Sequence, residues 1–264
     1  MNSQFNLFVK DNVRALRLWH VWAYLAWQDV ISKYRRSILG PLWIAGGMVS
    51  TSLAISISLG AMSGQPLREF LPFAMTGILV WTHFVGILIS EAPEIFVGAQ
   101  GAIKNNAFPF MFYVFRFVTK SLIIFLHNLV VLFIVMLSVQ NINVPTWEVL
   151  PAVALLTAFI LFATPVVGMA SARFRDLRFL LPYTAQILFF ITPVFWRPAT
   201  LSASKINIVN YNPLYYLVDI LRAPLLGEPV VANAWSISLL SLFVVFVLWA
   251  ISLTIFRRKI AFWI

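Results

Sequence analysis

Two carboxylates in this sequence lie close enough together to take part in acid–base chemistry. Glu91 and Glu94 stand three residues apart, with Pro93 between them. A pair of carboxylates at this spacing can bind a cation or exchange protons with a substrate. No His or Asp stands beside them, so charged helix ends are the simpler interpretation. We therefore predict no catalytic residue.

The histidines and cysteines give no indication of a metal site. His20, His83 and His127 are far apart and lack the spacing of metal ligands, so we interpret them as packing or interface residues. The chain has no cysteine, which excludes disulfides and thiolate ligands. Neither GxxxxGK[ST] nor GxGxxG occurs. We expect no cofactor in this chain, so a partner would have to bind any ATP and Mg²⁺.

The composition is that of a membrane protein. The chain has 264 residues, of which 61% are hydrophobic and 11% are charged. Soluble domains are about 45–50% apolar and about 25% charged. Too few polar residues remain to cover a soluble surface. This excludes a soluble enzyme, a disordered chain and a nucleic-acid-binding domain.

Apolar runs of about 20 residues, the length needed to cross a bilayer, divide the chain into predicted helices. The whole chain, 1–264, is predicted to be one all-α transmembrane domain. Six transmembrane helices are expected over 42–62, 70–90, 112–139, 149–172, 179–196 and 235–256. We expect the segment 197–234 to be periplasmic, with short helices that dip toward the membrane.

The segment before the first span is rich in tryptophan and tyrosine. Leu18, Trp22 and Leu25 recur at helical spacing within 12–36. This pattern predicts an amphipathic helix in the membrane interface, with aromatic rings at the depth of the headgroups. The helix is either a simple anchor or a wall that admits a substrate carried by a lipid.

Positive charge sets the predicted orientation. With both termini in the cytoplasm, 15 of the 19 lysines and arginines face inward, as the positive-inside rule requires. Mid-membrane ionisable groups are scarce, which disfavours a proton or sodium relay. Arg116 and Lys120 share one helix face. They either snorkel to the headgroups or contact an anionic substrate head.

Four stretches together resemble the membrane subunit of ABC-2-type polysaccharide exporters. They are Gln28–Trp43, Ala102–Pro109, Ala172–Arg178 followed by Thr192–Phe195, and Asn212–Leu214 with Arg222 downstream. The resemblance covers nearly the whole chain. It implies a permease with the ABC-2 fold in the bacterial inner membrane that exports lipid-linked polysaccharide. O-antigen, and hence lipopolysaccharide biosynthesis, is the first choice, with capsule or teichoic acid as alternatives.

The resemblance also implies partners and contact residues. It implies a homodimer with two ATPase subunits, which dock on the loop 98–109. In that loop it implicates Gln100, Ile103, Lys104, Asn105, Phe108 and Pro109, with Phe108 as an apolar knob. Arg173 and Arg175 are a second candidate contact or simply positive-inside charge. A gate beside the lipid pyrophosphate would comprise Tyr34, Arg35, Arg36, Leu39 and Gly40.

Aromatic residues suit a pathway for a sugar polymer, because ring faces bind sugar C–H groups and let the polymer slide. The candidates are Trp43, Phe73, Trp81, Phe84, Phe189, Phe190, Phe195 and Trp196. The alternative for each is packing against lipid or the protein core.

Three rival functions remain open from the sequence alone. One is an ABC-2 permease for a small drug or lipid. The second is a membrane enzyme that acts on lipid-linked sugars, for which only Glu91 and Glu94 approach an acidic site. The third is a channel that needs no ATP.

Overall fold

Helices joined by short turns make up nearly all of the chain that the computed structural model describes, which is residues 2–33, 35, 37, 40, 42–105, 108–140, 143–198 and 206–264. These residues contain no β-strand. The helices are α1 (Asn2–Arg17), α2 (Trp19–Lys33), α3 (Leu42–Ser63), α4 (Leu67–Val80), α5 (Gly86–Ser90), α6 (Gln100–Lys104), α7 (Phe110–Ser138), α8 (Val149–Arg173), α9 (Leu177–Ile191), α10 (Ile206–Asn210), α11 (Pro213–Leu225), α12 (Ala234–Phe256) and α13 (Ile260–Trp263). A π-helical turn, Trp81–Val85, joins α4 to α5, and a 3-10 turn, Ala92–Glu94, follows α5.

Five of these helical segments are long and apolar enough to cross a membrane. They are Leu42–Met62, Leu67–Ser90, Phe110–Ser138, Val149–Arg173 and Ala234–Phe256. The segment Leu67–Ser90 combines α4, the π-helical turn and α5. The ends of these five differ from the predicted ends by at most three residues. The protein is therefore an all-α membrane protein.

The exposed apolar surface of helix α12 indicates that the medium around the protein is apolar. Only 6% of its most apolar window is buried, and Leu240 and Phe243 are more than half exposed. Part of the surface of α12 packs on α8, α11 and α1. Exposure of so large an apolar surface to water would be unfavourable. The remaining sides of α12 are therefore suited to contact with lipid chains.

The fifth predicted span, 179–196, is shorter in the structure than expected. Helix α9 ends at Ile191, and Thr192 adopts an extended backbone with ψ 136°. The next residue is Pro193, whose ring disfavours helical backbone at the residue before it. Thr192, Pro193, Val194 and Phe195 are buried against the other helices. The helix itself is 15 residues long, fewer than the other spans contain.

The prediction of one helix over 12–36 is wrong in two respects. The helical chain begins at Asn2, and it breaks at Leu18 into α1 and α2. At the break, the indole N–H of Trp22 donates to the carbonyl oxygen of Ala15 at 3.1 Å. The same carbonyl oxygen also accepts from the N–H of Leu18 at 3.2 Å, so the indole adds a second bond at the end of α1. Helix α2 then packs along the first part of α7, where the rings of Trp22 and Phe115 stack with centroids 5.4 Å apart.

The segment 197–234 does contain short helices, but α11 lies in the protein core. Residues Tyr215–Leu225 are all buried, and α11 packs against α4, α8 and α12. Asn212 caps this helix, because its Oδ1 accepts from the N–H of Leu214 at 3.0 Å, and Pro213 occupies the first helical position. The Asn212–Leu214 motif therefore marks a helix start.

The segment Leu67–Ser90 is the centre of the bundle, with 83% of its most apolar window buried. Helix α4 contacts α3, α7 and α11, and α5 contacts α9. Gly77 lets the chain beyond α9 approach α4 closely. A Cβ atom at Gly77 would collide with the carbonyl oxygen of Val194.

We predict that Gly77→Ala destabilises the protein. The new methyl group would push against backbone, which cannot rotate away as a side chain does, so we expect a loss of about 1–3 kcal/mol, typical of overpacking. Thermal unfolding in detergent, followed by tryptophan fluorescence, measures the change. The matched control is Gly47→Ala, since a Cβ there meets nothing within 4 Å. Equal unfolding temperatures for the two variants would contradict the prediction.

Candidate functional site

A cleft of about 600 Å³ opens between α3, α4, α5, α7 and α9, and we call it the central cleft. Its volume lies within the range of about 300–1,000 Å³ that is usual for ligand sites. Its wall combines aromatic faces, hydrogen-bonding groups and a pair of opposite charges. The polar and aromatic residues that line the cleft include Thr51, Trp81, Thr82, His83, Glu91, Lys120, Ser121, Asn128, Gln186, Phe189 and Phe190.

The π-helical turn brings Trp81 and His83 to the cleft. The N–H of Gly86 bonds to the carbonyl of Trp81, five residues earlier, so this turn holds one residue more than an α-helical turn. The missing side chain of Gly86 leaves room for the Trp81 indole, with which a Cβ atom would collide. The hydroxyl of Ser121 on α7 donates to the carbonyl of His83 at 2.8 Å.

The aromatic part of the wall joins α4 to α9. The ring centroids of Trp81 and Phe189 lie 5.7 Å apart in an edge-to-face arrangement. Phe195 lies behind Phe189, with centroids 5.1 Å apart, and is buried. The indole N–H of Trp196 donates to the carbonyl of Phe190 at 3.0 Å, which ties the chain after α9 back to the helix.

The structure brings together only some of the aromatic residues predicted for a glycan pathway. Trp81, Phe189 and Phe190 line the central cleft. Phe73 and Phe84 are instead buried in the core, where Phe84 packs edge-on against Phe125. Trp43 is 57% exposed on α3 and does not line the cleft.

A buried polar pair lies deeper in the cleft. The Nδ2 atom of Asn128 lies 3.0 Å from Nε2 of His83, and both side chains are at most 4% exposed. His83 lies eight residues before Glu91, which corresponds to about 12 Å along a helix. The pair is therefore far from either end of its span. The sequence alone gave His83 no partner.

Four ion pairs tie the helix ends on one face of the bundle, which we call the basic face. Each pair joins two different elements: Asp29 with Arg116, Glu91 with Lys120, Glu94 with Arg178, and Asp11 with Arg257. Glu91 and Glu94 therefore act as anchors for α7 and α9. This arrangement fits charged helix ends better than an acid–base pair.

Arg116 and Lys120 have different roles despite sharing one helix face. Arg116 makes two bonds to the Asp29 carboxylate, at 2.7 and 2.6 Å. That geometry fixes α2 against α7. Lys120 makes a single contact of 3.3 Å with Glu91 and lines the central cleft. Lys120, rather than Arg116, can therefore face a ligand.

The residues predicted to contact an ATPase divide by exposure. Gln100, Lys104 and Asn105 on and after α6 are exposed, whereas Ile103 and Pro109 are buried. Phe108 is half-buried and stacks on Phe112 of its own chain, with centroids 4.1 Å apart, so it protrudes less than a knob would.

The turn between α8 and α9 presents a more exposed aromatic group. Arg173 and Arg175 are exposed, and Phe174 between them is 61% exposed. The Arg173 guanidinium lies 5.5 Å from the Phe174 ring centroid. Phe174 was not among the predicted contact residues, although its position between two arginines is visible in the sequence.

The predicted gate lies largely outside the described residues. Tyr34, Arg36 and Leu39 fall outside them. Arg35 is exposed, and Gly40 adopts a φ of 52°, a left-handed conformation that favours glycine.

On the face opposite the basic face, Arg222 organises a buried polar cluster. Its guanidinium bonds to Asp219 at 2.7 Å and to the carbonyl of Pro193 at 2.6 Å. Asp219 in turn accepts from the N–H of Val231 at 2.9 Å. The Arg222 guanidinium also lies 4.5 Å from the Phe73 ring centroid. The cluster thus connects α11 to α4 and to the chain after α9.

Tyr215, one turn before Asp219, stays neutral in this cluster. Burial, with a smaller contribution from the Asp219 carboxylate, raises the pKa of Tyr215 to about 12. The i,i+3 spacing of Asp219 and Arg222 is the sequence signal that could have identified the cluster.

We predict that Arg222→Met destabilises the protein severely. It would leave the Asp219 carboxylate buried without its counter-ion, a change that costs about 3–5 kcal/mol in typical proteins. Thermal unfolding measures the loss. The control is Arg68→Met, which removes an ion pair to Glu69 whose side chains are 71% and 57% exposed, where we expect at most about 1 kcal/mol. If both variants unfold at the same temperature, the Arg222 cluster does not stabilise the fold.

The comparisons with known proteins name no relative. No family model matches the sequence, and no curated protein matches it. Within the described part of the chain, no three His, Asp or Glu residues lie close enough to hold a metal ion. A functional assignment therefore depends on the central cleft and on the faces at its two ends.

Proposed function

We propose that this chain is the membrane subunit of an ATP-driven exporter of lipid-linked polysaccharide, with O-antigen as the first choice of cargo. The observation that carries the proposal is the central cleft, whose wall combines the aromatic faces of Trp81 and Phe189 with the amide, hydroxyl and imidazole groups of Gln186, Thr82 and His83. Capsular polysaccharide or teichoic acid would suit the same cleft.

The wall chemistry supports a sugar polymer. The face of an aromatic ring carries partial negative charge and attracts positively polarised C–H groups, which cover one side of a sugar. Such contacts lack the directionality of hydrogen bonds, so a chain can move past them. The polar groups beside Trp81 can bond to the hydroxyl groups on the other edges of the sugar.

Helix α9 supports a sixth crossing of the membrane. At its start, Arg178 pairs with Glu94 on the basic face at 3.4 Å. Beyond its end, the Arg197 guanidinium lies 4.3 Å from the ring centroid of Phe73, near the opposite face. Fifteen helical residues span about 22 Å, and the extended residues that follow supply the remaining length toward the ~30 Å of hydrocarbon.

The ion pairs support the predicted orientation. Each of the seven ion pairs found among the described residues joins residues that the six-span topology assigns to the same side of the membrane. The basic face holds most of the lysines and arginines, so we assign it to the cytoplasm, with both termini. In this arrangement the chain is a multi-pass protein of the bacterial inner membrane.

A second copy of the chain would enclose the central cleft and complete the path for the glycan. The central cleft is partly open in one chain. On α9 beside it, Phe179, Tyr183, Ile187 and Phe190 are exposed at helical spacing. A homodimer that places two clefts face to face would enclose a path wider than one chain provides.

Energy would come from two ATPase subunits bound at the basic face. Exposed Gln100 and Lys104 on α6, together with the turn Arg173–Arg175, offer contacts to them. Helix α13 contacts both α6 and α8, and the turn Arg173–Arg175 lies at the end of α8. Arg35 and the rest of the predicted gate would bind the phosphates of the lipid carrier near this face.

Glu91 and Glu94 could transmit a movement of α6 to the walls of the cleft. Glu91 directly precedes the 3-10 turn Ala92–Glu94, and Glu94 is the last residue of that turn, ahead of α6. Glu91 holds Lys120 at the edge of the cleft, while Glu94 holds Arg178 at the base of α9. A displacement of α6 by the ATPase would therefore move α7 and α9, two walls of the cleft.

We predict the topology from single cysteines, because the chain contains none of its own. With six crossings, Val144→Cys and Tyr211→Cys should react with a membrane-impermeant maleimide in intact cells, since both sites are exposed. Arg175→Cys and Phe262→Cys should react only after the membrane is opened. Reaction of Phe262→Cys in intact cells would show that α9 does not cross.

We predict two distinct defects in ATPase coupling. Lys104→Glu reverses an exposed charge on α6, so it should reduce the amount of ATPase that co-purifies with the chain. Glu91→Gln with Glu94→Gln leaves α6 intact and removes both ion pairs. This variant should keep the ATPase bound and hydrolysing ATP while surface polysaccharide falls severalfold. Complementation of a deletion strain, with polysaccharide measured at the cell surface, gives the readout.

The control for the coupling experiment is Glu69→Gln, which removes the exposed pair with Arg68 on the opposite face and should leave export unchanged. Normal polysaccharide export by the deletion strain would reject the proposed function and favour a drug or lipid as cargo. Full export by the double glutamine variant would reject only the route through Glu91 and Glu94.

A further inference from the structure

The pair formed by His83 and Asn128 has no role in holding charge or in binding an ATPase. Both side chains line the central cleft, and both are at most 4% exposed. Polar side chains this deep in a membrane are rare and usually mark the path of a substrate. The pair therefore needs an explanation in terms of what enters the cleft.

The backbone at His83 departs from regular helix geometry to place this side chain. Residues Trp81–Val85 form the π-helical turn, and π-helical turns inside α-helices occur frequently at functional sites. The Ser121 hydroxyl supports the turn by donating to the His83 carbonyl at 2.8 Å. Two residues of α7, Ser121 and Asn128, thus hold the main chain and the side chain of His83.

Asn128 retains a hydrogen-bond acceptor that no described residue of the chain uses. Its Nδ2 atom faces His83 Nε2 at 3.0 Å. Its Oδ1 atom is buried and has no hydrogen-bond partner among the described residues. Buried amide oxygens are nearly always bonded, so a donor from a ligand would complete the site.

The surroundings of the His83–Asn128 pair indicate that the hydrogen-bond donor of the ligand is uncharged. The nearest charged residues that line the cleft, Glu91 and Lys120, each lie eight positions along their helices from the pair, or about 12 Å. They also neutralise each other at 3.3 Å. Next to His83 stand the ring of Trp81 and the hydroxyl of Thr82. A hydroxyl group carried on a partly apolar frame, as in a sugar, fits this combination.

We propose that His83 and Asn128 form a hydrogen-bonding subsite for a sugar hydroxyl in the middle of the membrane, at which a glycan rests. This inference rests on the proposed function. The ring faces of Trp81 and Phe189 let the polymer slide, whereas a bond to Asn128 Oδ1 is directional and defines where a sugar stops. The subsite would hold the glycan in register between two ATP-driven steps.

Solid-state NMR of the chain in lipid bilayers, with ¹⁵N-labelled histidine, tests the subsite. The chain has three histidines, so His83→Gln assigns the His83 signals by their loss. The probe is maltotetraose. We expect a saturable shift of the His83 imidazole signals, with no shift for His20 or His127. In Asn128→Leu the apparent affinity should fall roughly tenfold or more, as expected for the loss of a buried hydrogen bond.

His127→Phe is the matched control, because His127 neighbours Asn128 in the chain but does not line the cleft. It should keep the full response of His83 to maltotetraose. The double variant His83→Phe with Asn128→Leu replaces the polar pair by an apolar pair, which preserves packing better than a single change. Binding of radiolabelled maltotetraose to this variant should also fall roughly tenfold or more.

Three results would overturn the subsite: no response of His83 to maltotetraose, an unchanged affinity in Asn128→Leu, or undiminished binding by the double variant. None of the measurements that give these results requires the proposed ATPase partner. A wild-type chain that exports polysaccharide in cells but shows no such response would reject the subsite and leave the proposed function in place. Loss of export by the deletion strain tests the proposed function separately.

Discussion

The enclosure of the segment Leu67–Ser90 by the other helices is the constraint on which the rest of the structure depends. Hydrocarbon offers no hydrogen bonds, so each polar group on an enclosed helix must find its partner inside the protein. The carbonyl of His83 receives the Ser121 hydroxyl, and its imidazole faces Asn128. Phe73 presents its ring to Arg222. The central segment thereby determines which polar residues the surrounding helices carry.

The same segment connects the two faces of the bundle. Near one face, Gly77 admits the Val194 carbonyl, and the Arg222 cluster holds the chain around α4. At the other, Glu91 and Glu94 hold Lys120 and Arg178. Between them lies the π-helical turn with the cleft. Motion applied at α6 would therefore reach the cleft before it reached the buried Arg222 cluster near the opposite face.

The sequence predicted the features that depend on composition. It did not predict the features that depend on the direction in which each side chain points. Apolar length identified the five longest spans, because crossing a bilayer requires it. The run 70–90 is uncharged and has apolar residues on every side, so its pattern could not show that Trp81 faces the cleft while Phe84 faces the core. A π-helical turn changes the angular position of every later residue, and no spacing rule in the sequence reveals it.

Long-range pairing was equally invisible to the sequence. Arg116 and Asp29 are 87 residues apart, and Arg257 and Asp11 are 246 residues apart. Among the ion pairs of the described residues, Asp219 with Arg222 is the one at i,i+3 spacing, which brings two side chains together on a helix. Acidic residues are few, with 9 against 19 basic residues, so only a minority of the cations can become structural anchors by pairing with an acid.

The scarcity of acids also determines what the basic face can offer to a partner. Arg116, Lys120 and Arg178 are engaged by Asp29, Glu91 and Glu94. Lys104 and Arg175 are exposed and form no ion pair with the described residues. Since paired cations hold the helices in place and unpaired ones remain available, the same net charge can both orient the chain and bind an acidic partner surface. Under the proposed function, that separation would let an ATPase dock without breaking the contacts that transmit its motion.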